Sequence, residues 1–246
     1  MLPRFLIDES AVEDEGAVLV GEQYHHAVRV LRLREGDRIR LFTTAGQEWE
    51  GTIAQVGADR VRVALSQELG PELAHPFSLT LAQGLGKGQK MDLVVQKCCE
   101  LGLAALVPLV TGHSVVRLEG RGAAARRERW RRIARSAAEQ SGRRRPVAVE
   151  PPATVEQVAA MVSDYDACLL AWEGEAPSLR GVLAELGSPR RLLALVGPEG
   201  GWLAGEVEQL TRSGATPVRL GPRLLRTETA GIALCAILMY QFGDLG

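Results

Sequence analysis

The chain has 246 residues, 46% of them apolar and 24% charged, with a formal net charge of −1. That length suits a small domain plus a medium one, and it buries enough surface to fold without staples. The near-neutral balance argues against a uniformly basic nucleic-acid binder. Four cysteines (Cys98, Cys99, Cys168, Cys235) with no C-x-x-C pair argue against a disulfide framework or a zinc module. The four histidines lack metal-ligand spacing, so no metal is expected. The opening residues lack a signal-peptide layout, and the longest apolar run, Gly231 to Tyr240, is too short to span a bilayer. A reducing, cytoplasmic setting is the expectation.

In chain order, residues 1–70 read as short strands. Ile39 and Leu41 alternate with Arg38 and Arg40, and Val61, Val63 and Leu65 alternate with Arg62 and Ala64. This period of two marks strands with one buried face. Tyr24, Val28 and Leu31 are spaced for a short helix over 24–33. The sum is a small β-rich domain, read as a barrel. Residues 71–76 form a linker, after which strand–helix alternation announces an α/β domain over 77–246. Its strands are expected at 77–82, 103–110, 167–172, 191–196 and 216–220. A helix over 90–101 carries Met91, Val94, Val95, Cys98 and Leu101 on one face. Another, over 123–140, buries Trp130, Ile133, Ala134 and Ala137. Thr154 to Gln157 is a capping-box pattern that opens a further helix.

Charge is distributed unevenly. Between Arg117 and Arg145 lie eleven arginines against three glutamates. Such a stripe fits a phosphate-facing surface, or else a solvated helix face in an arginine-rich composition. The turn Gly84 to Gln89 lacks the third spaced glycine of a dinucleotide loop and has no G-K-[ST], which excludes a P-loop. Lys87, Lys90 and Lys97 are there either to meet phosphates or simply as exposed lysines.

Two segments carry the chemistry. Leu192 to Val196 runs into Gly197-Pro198-Glu199-Gly200-Gly201, and glycines at the carboxyl end of an α/β strand suit either a ligand loop or a tight turn. Val218 to Leu220 leads into Gly221-Pro222-Arg223-Leu224-Leu225-Arg226-Thr227-Glu228-Thr229-Ala230, ahead of an apolar helix. So many polar groups before a buried helix must be paired, or serve a ligand. Capping by Thr227 with an Arg226–Glu228 ion pair is the bland account.

Together these segments resemble the signature pair of the SPOUT-class methyltransferases that make N3-methyluridine in 16S ribosomal RNA. Further segments match the same family: Gln96 to Gly102, Arg129-Trp130 through Ala138 to Arg143, and Pro3-Arg4-Phe5 with His25-His26 and Val30-Leu31-Arg32. Cys98-Cys99 departs from the small residues expected there. The resemblance implies a PUA-like β-barrel followed by an α/β SPOUT domain with a C-terminal trefoil knot in roughly 190–246. Physical reasoning alone would not propose that knot. It also implies S-adenosylmethionine as cofactor, 16S rRNA or the small ribosomal subunit as partner, and a homodimer. The cofactor site is carried onto Leu170, Trp172, Val196, Gly197, Pro198, Glu199, Gly200, Gly201, Leu220, Gly221, Leu225, Arg226, Thr227, Thr229 and Ala230. Arg226, Glu228 and, as second choice of acid, Glu199 are the catalytic candidates. Arg226 would orient the uracil or stabilise its charge, and a carboxylate would hold Arg226 or take the proton through water. Arg4, Arg32, Lys87, Lys97, Arg126, Arg127, Arg131, Arg132 and Arg143 are the RNA-contact candidates. The alternatives are methylation of a ribose 2′-hydroxyl, a non-catalytic ribosome-assembly factor, and a nucleotide-dependent oxidoreductase resting on Gly84 to Gly88.

Overall fold

The computed structural model describes residues 2–13, 16–43, 45–70, 76–114 and 120–245. They fall into two compact units, one drawn from 1–74 and 138–146, the other from 75–137 and 147–246.

The first unit holds β1 (Arg4–Leu6), β2 (Val12–Glu13), β3 (Gly16–Val20), α1 (Gly21–His25), β4 (Arg38–Phe42), β5 (Glu48–Val56) and β6 (Arg60–Glu68). Their sheet order is β1-β4-β5-β6-β3-β2, antiparallel except for β1 on β4. The alternation read from the sequence is realised. Ile39, Leu41, Val61 and Val63 point inward with Phe5, Leu19 and Ile53 to make one core. Gly51 lies at a register shift in β5, where a Cβ would come within 2.9 Å of the Ala64 carbonyl. A bulge of this kind bends a strand.

The helix expected over 24–33 begins earlier, at Gly21, and its second half (His26–Val30) is a π-turn. The wider i→i+5 spacing, seen in Leu31 N–H donating to His26 O, rotates the apolar stripe. Ala27 is therefore the buried residue, and Leu31 is 40% exposed.

Arg4, expected at the RNA surface, is a buried residue instead. Its guanidinium stacks 4.6 Å from the Phe42 ring centroid, and its Nη2 lies 2.9 Å from Glu48 Oε1. Glu48, itself buried, also receives Arg144 Nε at 2.6 Å. Residues 138–146 thus clamp this unit. Glu139 Oε1 accepts from Leu6 N–H and from Gln23 Nε2, and the Arg143 carbonyl accepts from Arg4.

The second unit alternates strands and helices: β7 (Ser78–Gly84), α2 (Lys90–Glu100), β8 (Ala105–Val110), α3 (Gly120–Ser141, whose last turn belongs to the first unit), β9 (Ala148–Val149), β10 (Ala153–Thr154), α4 (Val155–Met161), β11 (Ala167–Ala171), α5 (Leu179–Glu185), β12 (Arg191–Val196), α6 (Ala204–Arg212), β13 (Thr216–Val218) and α7 (Thr227–Phe242). The sheet is wholly parallel, in the order β10-β8-β7-β12-β11-β13, with β9 also on β8. Central β7 and β12 are buried almost end to end, as parallel strands covered on both faces must be. The capping box at Thr154 and Gln157 is present. The four cysteines are buried thiols, Cys99 donating to the Ala134 carbonyl at 3.5 Å, and burial pushes Cys168 up to about 12. Among the described residues no helix is long and apolar enough to cross a membrane. Because the strands are parallel, the loops after β7, β11, β12 and β13 all emerge at their carboxyl ends, where open α/β sheets bind ligands.

Candidate active site

The loops after β11, β12 and β13 enclose a cavity of about 610 Å³. That volume suits a ligand of nucleoside size or somewhat larger. Of the expected cofactor residues, the structure brings Trp172, Val196, Gly197, Pro198, Glu199, Gly200, Gly201, Leu220, Gly221, Leu225, Arg226, Thr227 and Ala230 to its wall. Leu170 sits behind it in the core, and Thr229 is exposed away from it. Lys90, Glu173, Arg219 and Arg223 also line the cavity and were not among the expected cofactor or catalytic residues.

The glycines have steric reasons. Trp202 donates from Nε1 to the Ala171 carbonyl at 3.0 Å, and its ring lies so close that a Cβ on Gly197 would meet it at 2.9 Å. Gly201 has φ of +72°, a conformation that favours glycine. Gly84 ends β7 against the Gly197–Pro198 peptide, and a Cβ there would lie 2.3 Å from Pro198 N. The glycine turn after β7 therefore packs against the cavity loop, and its glycines need no dinucleotide to explain them.

Thr227 does not cap α7. Arg226 occupies the N-cap position, with no side-chain capping bond. The buried Thr227 hydroxyl donates to the Gly197 carbonyl at 2.5 Å and accepts from Gln83 Nε2 at 2.8 Å. One side chain thus ties the end of β7, the loop after β12 and the start of α7 together. Gly231 continues that fit, since a Cβ there would lie 2.1 Å from Gln83 Oε1.

The Arg226–Glu228 ion pair is replaced by another. Lys90 Nζ lies 3.0 Å from Glu199 Oε1 and 3.3 Å from Glu228 Oε2. Glu199 Oε1 also accepts the Lys87 N–H at 2.9 Å. Burial acts to raise the Glu199 pKa, but the Lys87 amide and the Lys90 ammonium outweigh it, and the carboxyl is held below its usual value. Lys90 is pushed up by Glu199 and Glu228 against the opposing effect of burial. Glu228 Oε2 is buried without a hydrogen bond, so Lys90 is its ionic partner. Arg226 is exposed at the cavity wall. Lys90 was missed as a site residue because a lysine after a glycine turn is ordinary. Only the fold shows two acids converging on it.

Among the RNA-contact candidates, Arg32, Lys87, Arg126 and Arg132 are exposed. Arg127 donates to the Val149 carbonyl at 2.9 Å, Arg131 pairs with Glu128 at 3.9 Å, and Lys97 pairs with Glu100 at 2.9 Å. Arg143 is half-buried. Of the arginine-rich stretch, residues 115–119, which include Arg117, lie outside the described residues.

The profile of the RNA methyltransferase domain matches residues 73–239, and that of the RNA methyltransferase PUA domain matches residues 19–66. Ribosomal RNA small subunit methyltransferase E of Bacillus subtilis is 36% identical over 228 residues, covering 91% of this chain and 89% of that protein. The Mycobacterium bovis protein of the same name is 32% identical over 241 residues, covering 95% and 90%. The crystal structure of ribosomal RNA small subunit methyltransferase E from Neisseria gonorrhoeae, bound to S-adenosyl methionine, matches with a TM-score of 0.88 at 31% identity, covering 100% of both chains. With a PUA domain ahead of a parallel-sheet domain that carries this cavity, the chain belongs to the ribosomal RNA small subunit methyltransferase E family of RNA methyltransferases.

Proposed function

We infer that this chain methylates N3 of a uridine in 16S ribosomal RNA, taking the methyl group from S-adenosylmethionine held in the cavity between the β11, β12 and β13 loops. At the coarser level it is an S-adenosylmethionine-dependent methyltransferase of small-subunit ribosomal RNA. The observation that carries the reading is the convergence of the glycine loop, Arg226 and the Lys90–Glu199–Glu228 cluster on one cavity. The fit to the cofactor rests on that cavity's size and on glycines that keep its wall close and bare. A homodimer and a trefoil knot over roughly 190–246 belong to the same reading.

When bound, S-adenosylmethionine supplies an electrophilic methyl carbon on its sulfonium. The rest falls to the chain's own residues. Uridine N3 carries a proton that must leave before its in-plane lone pair can attack. Glu199, the cavity-wall carboxylate paired with Lys90, is the acceptor through water, and the buried Glu228 shares that lysine. Arg226 orients the uracil and stabilises the charge that develops on it. Alignment contributes several kcal/mol more.

The test is to incubate the protein with small-subunit particles and S-adenosylmethionine, then digest the RNA and identify the nucleosides by mass. N3-methyluridine is expected, and a ribose-methylated nucleoside would sink the reading. Arg226→Ala and Glu199→Gln should each lower kcat by about 100-fold. Near-normal turnover in both, with the fold intact, would remove those roles. Phosphate contacts by Arg126 and Arg132 are tested by salt titration of RNA affinity. Replacing both with alanine should flatten the log–log salt slope by roughly 1.5 to 2. An unchanged slope would take these two arginines off the RNA surface.

A further inference from the structure

Lys90 offered itself in the sequence only as a phosphate contact or an exposed lysine, yet its Nζ sits between two carboxylates brought from distant parts of the chain. Glu199 comes from the loop after β12 and Glu228 from the first turn of α7, at 3.0 and 3.3 Å. The turn before α2 is shaped to let this happen. Gly86 leaves space where a Cβ would lie 3.2 Å from both Glu199 Oε1 and Lys90 Cβ, and the Lys87 N–H lands on the same Oε1. The Lys87 amide and the Lys90 ammonium thus converge on the same Glu199 oxygen. Lys90 and Glu199 line the cavity, whereas the Glu228 Oε2 is buried and relies on Lys90.

We propose that Lys90 is a positioning residue for methyl transfer: its ammonium anchors Glu199 to Glu228 and so fixes the Glu199 carboxylate at the cavity wall as the proton acceptor. This rests on reading the cavity as the methyl-transfer site. The depressed Glu199 pKa is consistent with it. The other charged groups lining the same cavity are Arg219, Arg223 and Arg226 from the loop before α7, and Glu173 after β11; His113 lies against Gly200 and Gly201. The Lys87 amide and the backbone amide of Glu199 itself also favour an ionised Glu199, so removing Lys90 weakens that preference without abolishing it. Proton balance is simple. The N3 proton passes through water to Glu199, N3 then takes the methyl group as the sulfonium–methyl bond breaks and S-adenosylhomocysteine leaves, Glu199 returns the proton to solvent, and Lys90 keeps its own proton throughout.

Lys90→Met alone leaves Glu228 buried and unpaired and so risks misfolding. The double variant Lys90→Met/Glu228→Gln removes that charge while still stripping Glu199 of its anchor, and Lys90→Arg keeps the cation. Each is assayed on small-subunit particles for kcat across pH, and by calorimetric titration with S-adenosylmethionine. For the double variant, kcat should fall by about 10- to 100-fold, with cofactor affinity within about threefold of wild type. The acidic limb of its kcat profile should move up by about one pH unit, because Glu199 now protonates more readily. Lys90→Arg should return the limb to its wild-type position. An unmoved limb, however large the fall in kcat, overturns the proposal, and so does wild-type kcat in the double variant. If the wild-type protein methylates no small-subunit RNA, the reading of the cavity fails first and the proposal falls with it.

Discussion

Replacing Glu48 with alanine lowers the stability of the PUA-containing unit by about 3–5 kcal/mol. Glu48 is 2% exposed and supplies the one carboxylate shared by Arg4 and Arg144, at 2.9 and 2.6 Å. Arg4 is nearly as buried, with its guanidinium against Phe42. Without Glu48 the Arg4 charge stays in the interior, its remaining partners among the described residues being the Arg143 carbonyl and the Phe42 ring. Removing one member of a buried pair costs far more than the pair itself contributes, because the remaining charge has lost both water and partner. Chemical denaturation measures the loss, and hydrogen exchange of the β1 and β4 amides locates it. A loss below about 1 kcal/mol would mean that water reaches this cluster and screens it as it would a surface pair.

Gly84→Ala is expected to weaken binding of S-adenosylmethionine at least about tenfold and to destabilise the second unit by about 1–3 kcal/mol. The added methyl would meet Pro198 N at 2.3 Å and the Gly197 carbonyl carbon at 2.5 Å. Both are backbone atoms, so no rotamer change relieves the overlap, and the 197–201 loop must shift. That loop is one wall of the cavity, and Thr227 is bonded to its Gly197 carbonyl. The disturbance therefore reaches the loop before α7 as well. Calorimetric titration with the cofactor reads the first effect and thermal melting the second. Gly88→Ala is the matched control. Gly88 has φ of +64° but open space around its Cβ position, so its cost is conformational, about 1 kcal/mol. Unaltered cofactor affinity in Gly84→Ala would show that the β7 end and the glycine loop are not mechanically coupled.

What could be read in the sequence was local. The strand at 191–196 was placed at its observed bounds, because a parallel strand buried on both faces is a continuous apolar run closed by glycine. The helix over 90–101 ends at Glu100, and four of its five stripe residues are buried; Leu101 is only half-buried. The cavity loops were found through family resemblance. Alone, a glycine turn and a cluster of polar residues leave ligand loop and tight turn equally open. What stayed illegible were the long-range polar pairings. Arg4 looked like a surface arginine because its acid lies 44 residues away, in another strand. The Arg226–Glu228 pair seemed natural from adjacency, but Lys90 is the cation that meets Glu228. The two-residue strands β9 and β10 left no period to read. Local physics sets which residues turn inward; the choice of partner for a buried charge is made by topology.

The clamp at 138–146 makes the PUA-containing unit discontinuous in sequence. A fragment ending near residue 74 would hold every strand of its sheet and still be chemically incomplete. Glu139 would no longer receive the Leu6 amide and Gln23, and Arg144 would be gone from Glu48. In evolutionary terms this unit is not a cassette that could be swapped at one junction. Its inheritance is tied to the arginine-rich helix of the neighbouring unit, so a recombination event at the boundary near residue 75 would have to carry a nine-residue passenger from sixty residues downstream.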